Sequence, residues 1–404
     1  MLNSPNSLRI LILLNRIPYP LNDGGAIGAY NFVKGYAEAG CDVTMLAMNT
    51  SKHFVDLPTV ERVFSPFGKV YTVEVDNRIK PVDALLNLAT SESYIIKRFV
   101  SQPYTQALVA LLQANEYDVV HIDGLPPAAY IDVVRQHSKA KVSMRAHNVE
   151  HVIWQRIAEM ETNPLRKIYV GIQAKRLREF ELAAIKKCDL VMAISKEDGD
   201  TIKAAVPNAV TRIVPAGMDI SAEVVNASYN PLDLCFIGSF DWMPNLQGID
   251  WFMKEVWAEL VKQYPNIQFS IAGKQMPAHV HALKSANLNP VGEVPDAKQF
   301  ILQHGLMVVP IVSGSGIRIK ILEGMALGKT IIATPIAAEG LGLTHGENIL
   351  IAETAAEFAA CIEKCRTDET YSKQIGRNAH RFALDNYLNQ NIFAGLIQYY
   401  RNMK

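Results

Sequence analysis

The chain has 404 residues, 49% hydrophobic and 20% charged, with 40 Lys plus Arg balanced by 40 Asp plus Glu. That length exceeds one ordinary core, so two domains are expected, and the composition is that of a globular chain without a disordered tail. Zero net charge removes the global basic field of a nucleic-acid binder, and no nucleic-acid partner is expected.

The first predicted strand is "LRILILL", residues 8–14, apolar throughout as a strand covered on both faces should be. No Lys or Arg precedes it, and it is too short for a secretion signal with its flanks or for a membrane span. The loop "NRIPYPLNDGGAIG" leads into a helix that stops at Gly40. Further strands are "CDVTMLAM", "KVYTVEV", "DVVHID", "KVSMRAH" and "LVMAIS". Ser195 is expected to N-cap the helix after the last of these, with Lys196 a solvated charge. "TRIVPAGMD" closes the first half, and the weakly patterned "ISAEVVNASYNP", residues 220–231, ends in Asn-Pro and reads as a linker.

A second series follows: "LDLCFIG", a long helix around residues 251–264, "IQFSIAG", "LMVVPIV", "TIIATP", "NILIA" and three closing helical patterns. Short apolar strands alternating with helices imply parallel sheets with crossover connections, here as two doubly wound units facing one another. Such units bind ligands outside the carboxyl ends of their strands. Glycine-bearing loops follow strands at Gly24 and Gly25, at Gly238, at Gly273, and at Gly314 and Gly316. The five cysteines are scattered and odd in number, which fits a reducing cytoplasm; Cys361 and Cys365, at helical spacing, read as buried thiols rather than a metal pair.

The chemistry concentrates in "SGSGIRIKILEGMALGKTIIATP", residues 313–335. Ile319 stands where a dinucleotide fingerprint needs its third glycine, and no GxxxxGK[ST] occurs, so both of those readings fail on spacing. A glycine loop entering a helix still presents free N–H groups and the positive end of the macrodipole, which together favour phosphate. Arg318 adds a forked donor and Lys320 a point charge. Lys320 and Glu323, three apart, share a helical face. Glu323 lies roughly 7–10 Å beyond the phosphate position along a helix axis, about the reach from a diphosphate to its ribose. The alternative is a solvated Lys320–Glu323 pair worth a few tenths of a kcal/mol. The apolar neighbours Ile317, Ile319, Ile321 and Leu322 leave little room for a wet face. The segment therefore reads as a nucleoside-diphosphate site. The one Asp-x-Asp, Asp198 and Asp200, falls within the helix that Ser195 is expected to cap rather than in a glycine-bearing loop after a strand, so no metal and no cofactor are expected.

"GSGIRIKILEGMALGKTIIATPIAAEGL" resembles the signature region of GT-B glycosyltransferases of family 4. "PLNDGGAIGAYNFVKGYAEAGCDVTML", "RAHNVEH", "VMAISKED", "IVPAGMD", "IGSFDWMPNLQGIDWF", "FSIAGKQMP" and "VGEVPDAKQFI" are similar to other family segments and fall in the family's order. The resemblance implies an α/β GT-B fold, two Rossmann-like domains facing an interdomain cleft: residues 1–218 on the acceptor side, with the last helix, 389–404, crossing back, and residues 219–388 binding the nucleotide sugar. It implies a retaining, metal-independent enzyme. The donor would be a UDP-sugar or GDP-sugar, and the acceptor a glycan or lipid-linked molecule of surface polysaccharide synthesis. Glu323 matches the second Glu of the family's Glu-x7-Glu motif, which holds the ribose. At the position of the first Glu, which contacts the transferred sugar, this sequence has Ser315. The family's Arg and Lys after the first strand of the second domain are replaced by Ser239, Phe240, Asp241 and Trp242 around the matching Gly238, so Arg318 and Lys320 are expected to neutralise the diphosphate instead. Gly24 and Gly25 match the loop where donor phosphate and acceptor approach the backbone. His147 matches a histidine near the donor sugar, with Glu150 and His151 as weaker matches. Gly292, Glu293 and Val294 match the place where backbone groups read the base, with Glu339 as support.

Lys- and Arg-rich residues 156–187 offer a peripheral contact with the inner membrane surface, although interspersed acids make a solvated helical face the default. A cytoplasmic location is expected. A non-hydrolysing nucleotide-sugar epimerase and a non-catalytic nucleotide or sugar sensor remain alternatives, and a nicotinamide oxidoreductase lacks its fingerprint.

Overall fold

The computed structural model describes residues 7–21, 24–215, 217–223, 229–314 and 317–403. The chain divides into two compact units, Met1–Gly217 with Asn389–Lys404, and Met218–Leu388.

The first unit is built on seven parallel strands: β1 Arg9–Leu14, β2 Asp42–Thr50, β3 Lys69–Val75, β4 Val119–Asp123, β5 Lys141–Ala146, β6 Leu190–Ala193 and β7 Thr211–Ile213. Their spatial order is β3-β2-β1-β4-β5-β6-β7, which reverses direction at the β1–β4 pair. The two-residue period of β1 splits its apolar run between two layers: Leu11 and Leu13 join one core cluster, Ile10, Ile12 and Leu14 the other. Helix α1, Gly24–Glu38, covers the second layer. Three further helices matter below: α2 Pro81–Asn87, α3 Glu150–Met160 and α4 Pro164–Lys187. α4 starts sharply because Asn163 Oδ1 accepts from the backbone N–H groups of Leu165 and Arg166, with Pro164 in its first turn.

The C-terminal helix, Asn389–Asn402, belongs to this first unit. Its Phe393 ring lies 5.0 Å from those of both Phe32 and Tyr36. Gly35 makes that fit possible, since a Cβ there would run into the Phe393 ring. Farther along, the Tyr400 hydroxyl donates to Ser143 Oγ at 2.8 Å and meets the Tyr36 hydroxyl at 3.0 Å.

The second unit has six parallel strands: β8 Asp233–Ile237, β9 Gln268–Ala272, β10 Leu288–Gly292, β11 Leu306–Val309, β12 Thr330–Ala333 and β13 Leu350–Ile351, in the order β10-β9-β8-β11-β12-β13. β10 was not foreseen, because Asn289 and Pro290 interrupt its pattern. Proline loses a ladder hydrogen bond, which is tolerated at an edge, and β10 is an edge strand whose register shifts after Pro290. Helix α5 spans Met243–Phe252 and continues through a π turn to Gln263, so the helix begins at Met243 rather than near Trp251. Pro244 in its first turn sets that start. Helix α6, Ile319–Ala326, follows β11.

The segment expected as a linker is part of the second unit where it is described. Ile220 is in its core, His380 Nε2 meets the Ser221 carbonyl at 2.9 Å, and the Tyr229 hydroxyl donates to the Cys365 carbonyl. Ser195 caps its helix by accepting from the Asp198 N–H at 3.1 Å, and Lys196 is an exposed partner of Asp200. All five cysteines are free thiols, Cys361 and Cys365 buried among them. No helix among the described residues is long and apolar enough to cross a membrane.

Candidate active site

In the second unit the site forms at the carboxyl ends of β8 to β11. β8 runs out at Ile237, and Gly238 turns the chain toward α5. Buried Asn245, in the first turn of α5, holds that turn by donating to the Ser239 carbonyl at 2.6 Å. Its Oδ1 accepts from Lys320 Nζ at 2.5 Å, and the same ammonium lies 4.3 Å from the Phe236 ring centroid. Lys320 therefore reaches from α6 to the end of β8, where a Cβ on Gly238 would displace its Nζ and the Asn245 amide. Enclosure pushes the Lys320 ammonium down to about 7, helped by the nearby Arg318 charge and opposed by Glu323.

Arg318 precedes α6, is 4% exposed, and lays its guanidinium 5.2 Å from the Trp242 ring, within the field of Glu339. Gly314, at φ +93°, takes a backbone conformation that favours glycine and packs against Pro244 and Trp242. Ser313 Oγ donates to Gln247 Oε1 at 2.6 Å, tying the loop after β11 to α5. Ser315 and Gly316 lie outside the described residues. Glu323 is half-buried one turn along α6 from Lys320; burial raises its pKa against the pull of Lys298 and Lys320. Its carboxylate has no hydrogen bond or ion pair among the described residues.

Gly292 closes β10 at φ +81°, and its carbonyl accepts from the Gly273 N–H at 2.7 Å. Gly273 in turn packs against the Gly238 carbonyl, so the ends of β8, β9 and β10 form one glycine-lined rim. The Glu293 side chain is exposed and paired with Lys274 at 3.3 Å, while Val294 packs against the core.

In the first unit the ends of β4 and β5 build a second cluster. His147 Nε2 stands 3.0 Å from Asp123 Oδ1, which also accepts from Arg145 Nη1 at 3.2 Å. Arg145 lies across the Phe32 ring at 4.1 Å and against Gly28, one turn into α1 from Gly24 and Gly25. Burial would raise the Asp123 pKa, but His147, His121 and Arg145 overcome it and hold the carboxyl well below its usual range. His121 is fully buried, which lowers its pKa, and its Nδ1 meets the Tyr36 hydroxyl at 3.0 Å. Asp123 thus fixes the His147 ring, leaving its other nitrogen for a ligand. Glu150 and His151 are held differently. Glu181 accepts from both of their backbone N–H groups, at 3.0 and 2.8 Å, and contacts His151 Nδ1 at 2.7 Å, which caps α3.

Asp123, Arg145 and Asn245 enter the site only in the folded chain, and Trp242, which in the sequence merely replaces a family cation, gains its role there by facing Arg318. A readable signal existed for two of them, since Asp123 and Arg145 are charges inside strands covered on both faces.

Residues 231–368 match the family model described as glycosyl transferases group 1, and residues 22–222 the model described as glycosyltransferase family 4. A Klebsiella pneumoniae relative, described as an uncharacterized 44.6 kDa protein in cps region, is 22% identical over 96% of this chain and 99% of its own. Among solved structures, sucrose-phosphate synthase from Thermosynechococcus elongatus is similar at TM-score 0.68 and 15% identity, over 98% of this chain and 99% of that one. HepE of Anabaena in complex with UDP is similar at TM-score 0.64 and 14% identity, over 98% of this chain and 100% of that one. With two doubly wound parallel sheets and a family match on each half, the chain belongs to the GT-B glycosyltransferases of the group 1, family 4 type.

Proposed function

We propose that the protein moves a sugar, with retention of its anomeric configuration, from a UDP-sugar or GDP-sugar to a glycan or lipid-linked acceptor in surface polysaccharide synthesis. The observation that carries this reading is the pair on α6: an enclosed ammonium, Lys320, and one turn later a half-buried carboxylate, Glu323, with no partner among the described residues. An enclosed ammonium that has given up much of its proton affinity regains it beside a diphosphate. A carboxylate without a donor is suited to accept from the ribose hydroxyls. Arg318 supplies a second, forked cation to the same phosphates. The UDP carried by HepE supports uridine as the nucleoside, and the cps region of the Klebsiella relative supports a polysaccharide setting.

Catalysis on this reading is positioning and electrostatics. Arg318, Lys320 and the amides of the glycine loop stabilise the diphosphate as it leaves. His147, held by Asp123, is the first unit's candidate group for the donor sugar, as the resemblance implies. An oxygen of the departing phosphate takes the acceptor proton on the face it leaves from, so no protein base and no metal is required. The product formed from a UDP-sugar or GDP-sugar and an acceptor tests the reading by NMR. Retention, with turnover unchanged in EDTA, is expected. An inverted product, dependence on magnesium or manganese, or isomerisation of the donor without acceptor would contradict it.

A further inference from the structure

The hairpin of α3 and α4 ends in an apolar tip. Met160 and Leu165 are each 80% exposed, and Ile157 and Ile168 are exposed beside them. Single exposed apolar side chains are ordinary, but four large ones within twelve residues of a convex turn are not. The hairpin is also cationic in a chain of zero net charge: residues 156–178 hold six Lys or Arg against two Glu, three of the cations near the turn and three roughly 15–20 Å along α4. Arg156, Arg166, Lys175 and Arg178 are exposed, and none pairs with a carboxylate among the described residues. The two acids are engaged locally, Glu159 by Gln155 at 3.1 Å and Glu161 by the Asn163 N–H at 2.9 Å. Between the helices runs a groove of about 500 Å³ over Ala158, Gly171 and Ala174, with Lys167, Lys175 and Arg178 along it.

A second apolar patch is fixed to the same helix. Gln173 donates to Asn87 Oδ1 and Arg176 to the Leu88 carbonyl, both at 3.0 Å, which anchors the end of α2 to α4. α2 exposes Val82, Leu85 and Leu86.

We propose that the α3–α4 tip docks the first unit onto an anionic lipid bilayer, its apolar side chains among the acyl chains and its cations on the headgroup phosphates. Charge complementarity selects this occupant. A bilayer is anionic and apolar at once and receives a convex tip without a preformed pocket. Lys and Arg near such a surface are drawn to its charge, and large apolar side chains gain by leaving water. The inference concerns where the protein works, and it stands apart from the donor reading.

The test is sedimentation of the full chain with vesicles of phosphatidylcholine alone and of phosphatidylcholine mixed with phosphatidylglycerol. Binding to the mixed vesicles only, weakened by salt, is expected. The double variant Met160→Ser, Leu165→Ser should lose at least about tenfold in partitioning, while nucleotide binding and thermal unfolding stay unchanged. Arg166→Glu with Arg178→Glu should weaken binding to the anionic vesicles. The proposal is overturned by absence of vesicle binding, by binding that the serine variant retains, or by a dimer in solution that the serine variant dissolves, which would assign the tip to a second copy of the chain.

Discussion

Lys320 links the electrostatics of the second unit to pH. In the free protein its ammonium titrates near 7, driven down first by enclosure and then by Arg318. At pH 8 it is largely neutral, and a diphosphate arriving there must recharge it. Nucleoside-diphosphate binding should therefore take up a proton, and affinity should fall as pH rises from 7 to 9. Calorimetry in buffers of different ionisation enthalpy reads that uptake directly, and Lys320→Ala should abolish it. The sign for folding is opposite. An unfolded lysine titrates near 10.4, so between pH 7 and 10 the unfolded chain holds a proton that the folded chain lacks, and the stability of the second unit should rise with pH across that window. In the first unit, Asp123→Asn removes the anion that faces Arg145 and His147. A buried arginine left unpaired costs about 3–5 kcal/mol, so thermal unfolding of the first unit should move down. The loosened His147 should lower turnover on the order of 10- to 100-fold, with donor affinity in the second unit unchanged, as single-turnover kinetics and calorimetry would separate.

Among the elements, the C-terminal helix is held to the first unit by Phe393, Leu396, Ile397 and Tyr400. Phe393→Ala should cost about 3–5 kcal/mol, the usual loss for a buried phenylalanine, without moving the unfolding of the second unit; denaturant unfolding followed in each unit checks this. Most strands could be read from the sequence because a strand covered on both faces is written as an unbroken apolar run, as in β1 and β11. β10 could not, since Pro290 removes the signal and only its edge position makes the strand tolerable. The cations and acid of α6 were legible because one glycine loop and one helix carry them together. Asn245 was not, for it lies 75 residues from the lysine it holds, and the fold alone brings them into contact. His147 and Asp123 show the same limit: β4 and β5 pair side by side, a fact written in neither segment alone.

For the whole molecule, the proposed function gives the acceptor to the first unit and the donor to the second, each with its own core. Differential scanning calorimetry with UDP, GDP, ADP and NAD, followed unit by unit, reads directly whether the second unit is a nucleoside-diphosphate site. A nucleotide at about 100 times its dissociation constant adds roughly 2.7 kcal/mol to the unit that binds it, a rise on the order of 5–10 °C for a unit of this size. UDP or GDP should raise the transition of the second unit, and NAD should move neither. Glu323→Gln should lose much of the rise while its unliganded transition stays in place. A shift with NAD and none with the nucleoside diphosphates, or a full shift in Glu323→Gln, would contradict that reading of the site.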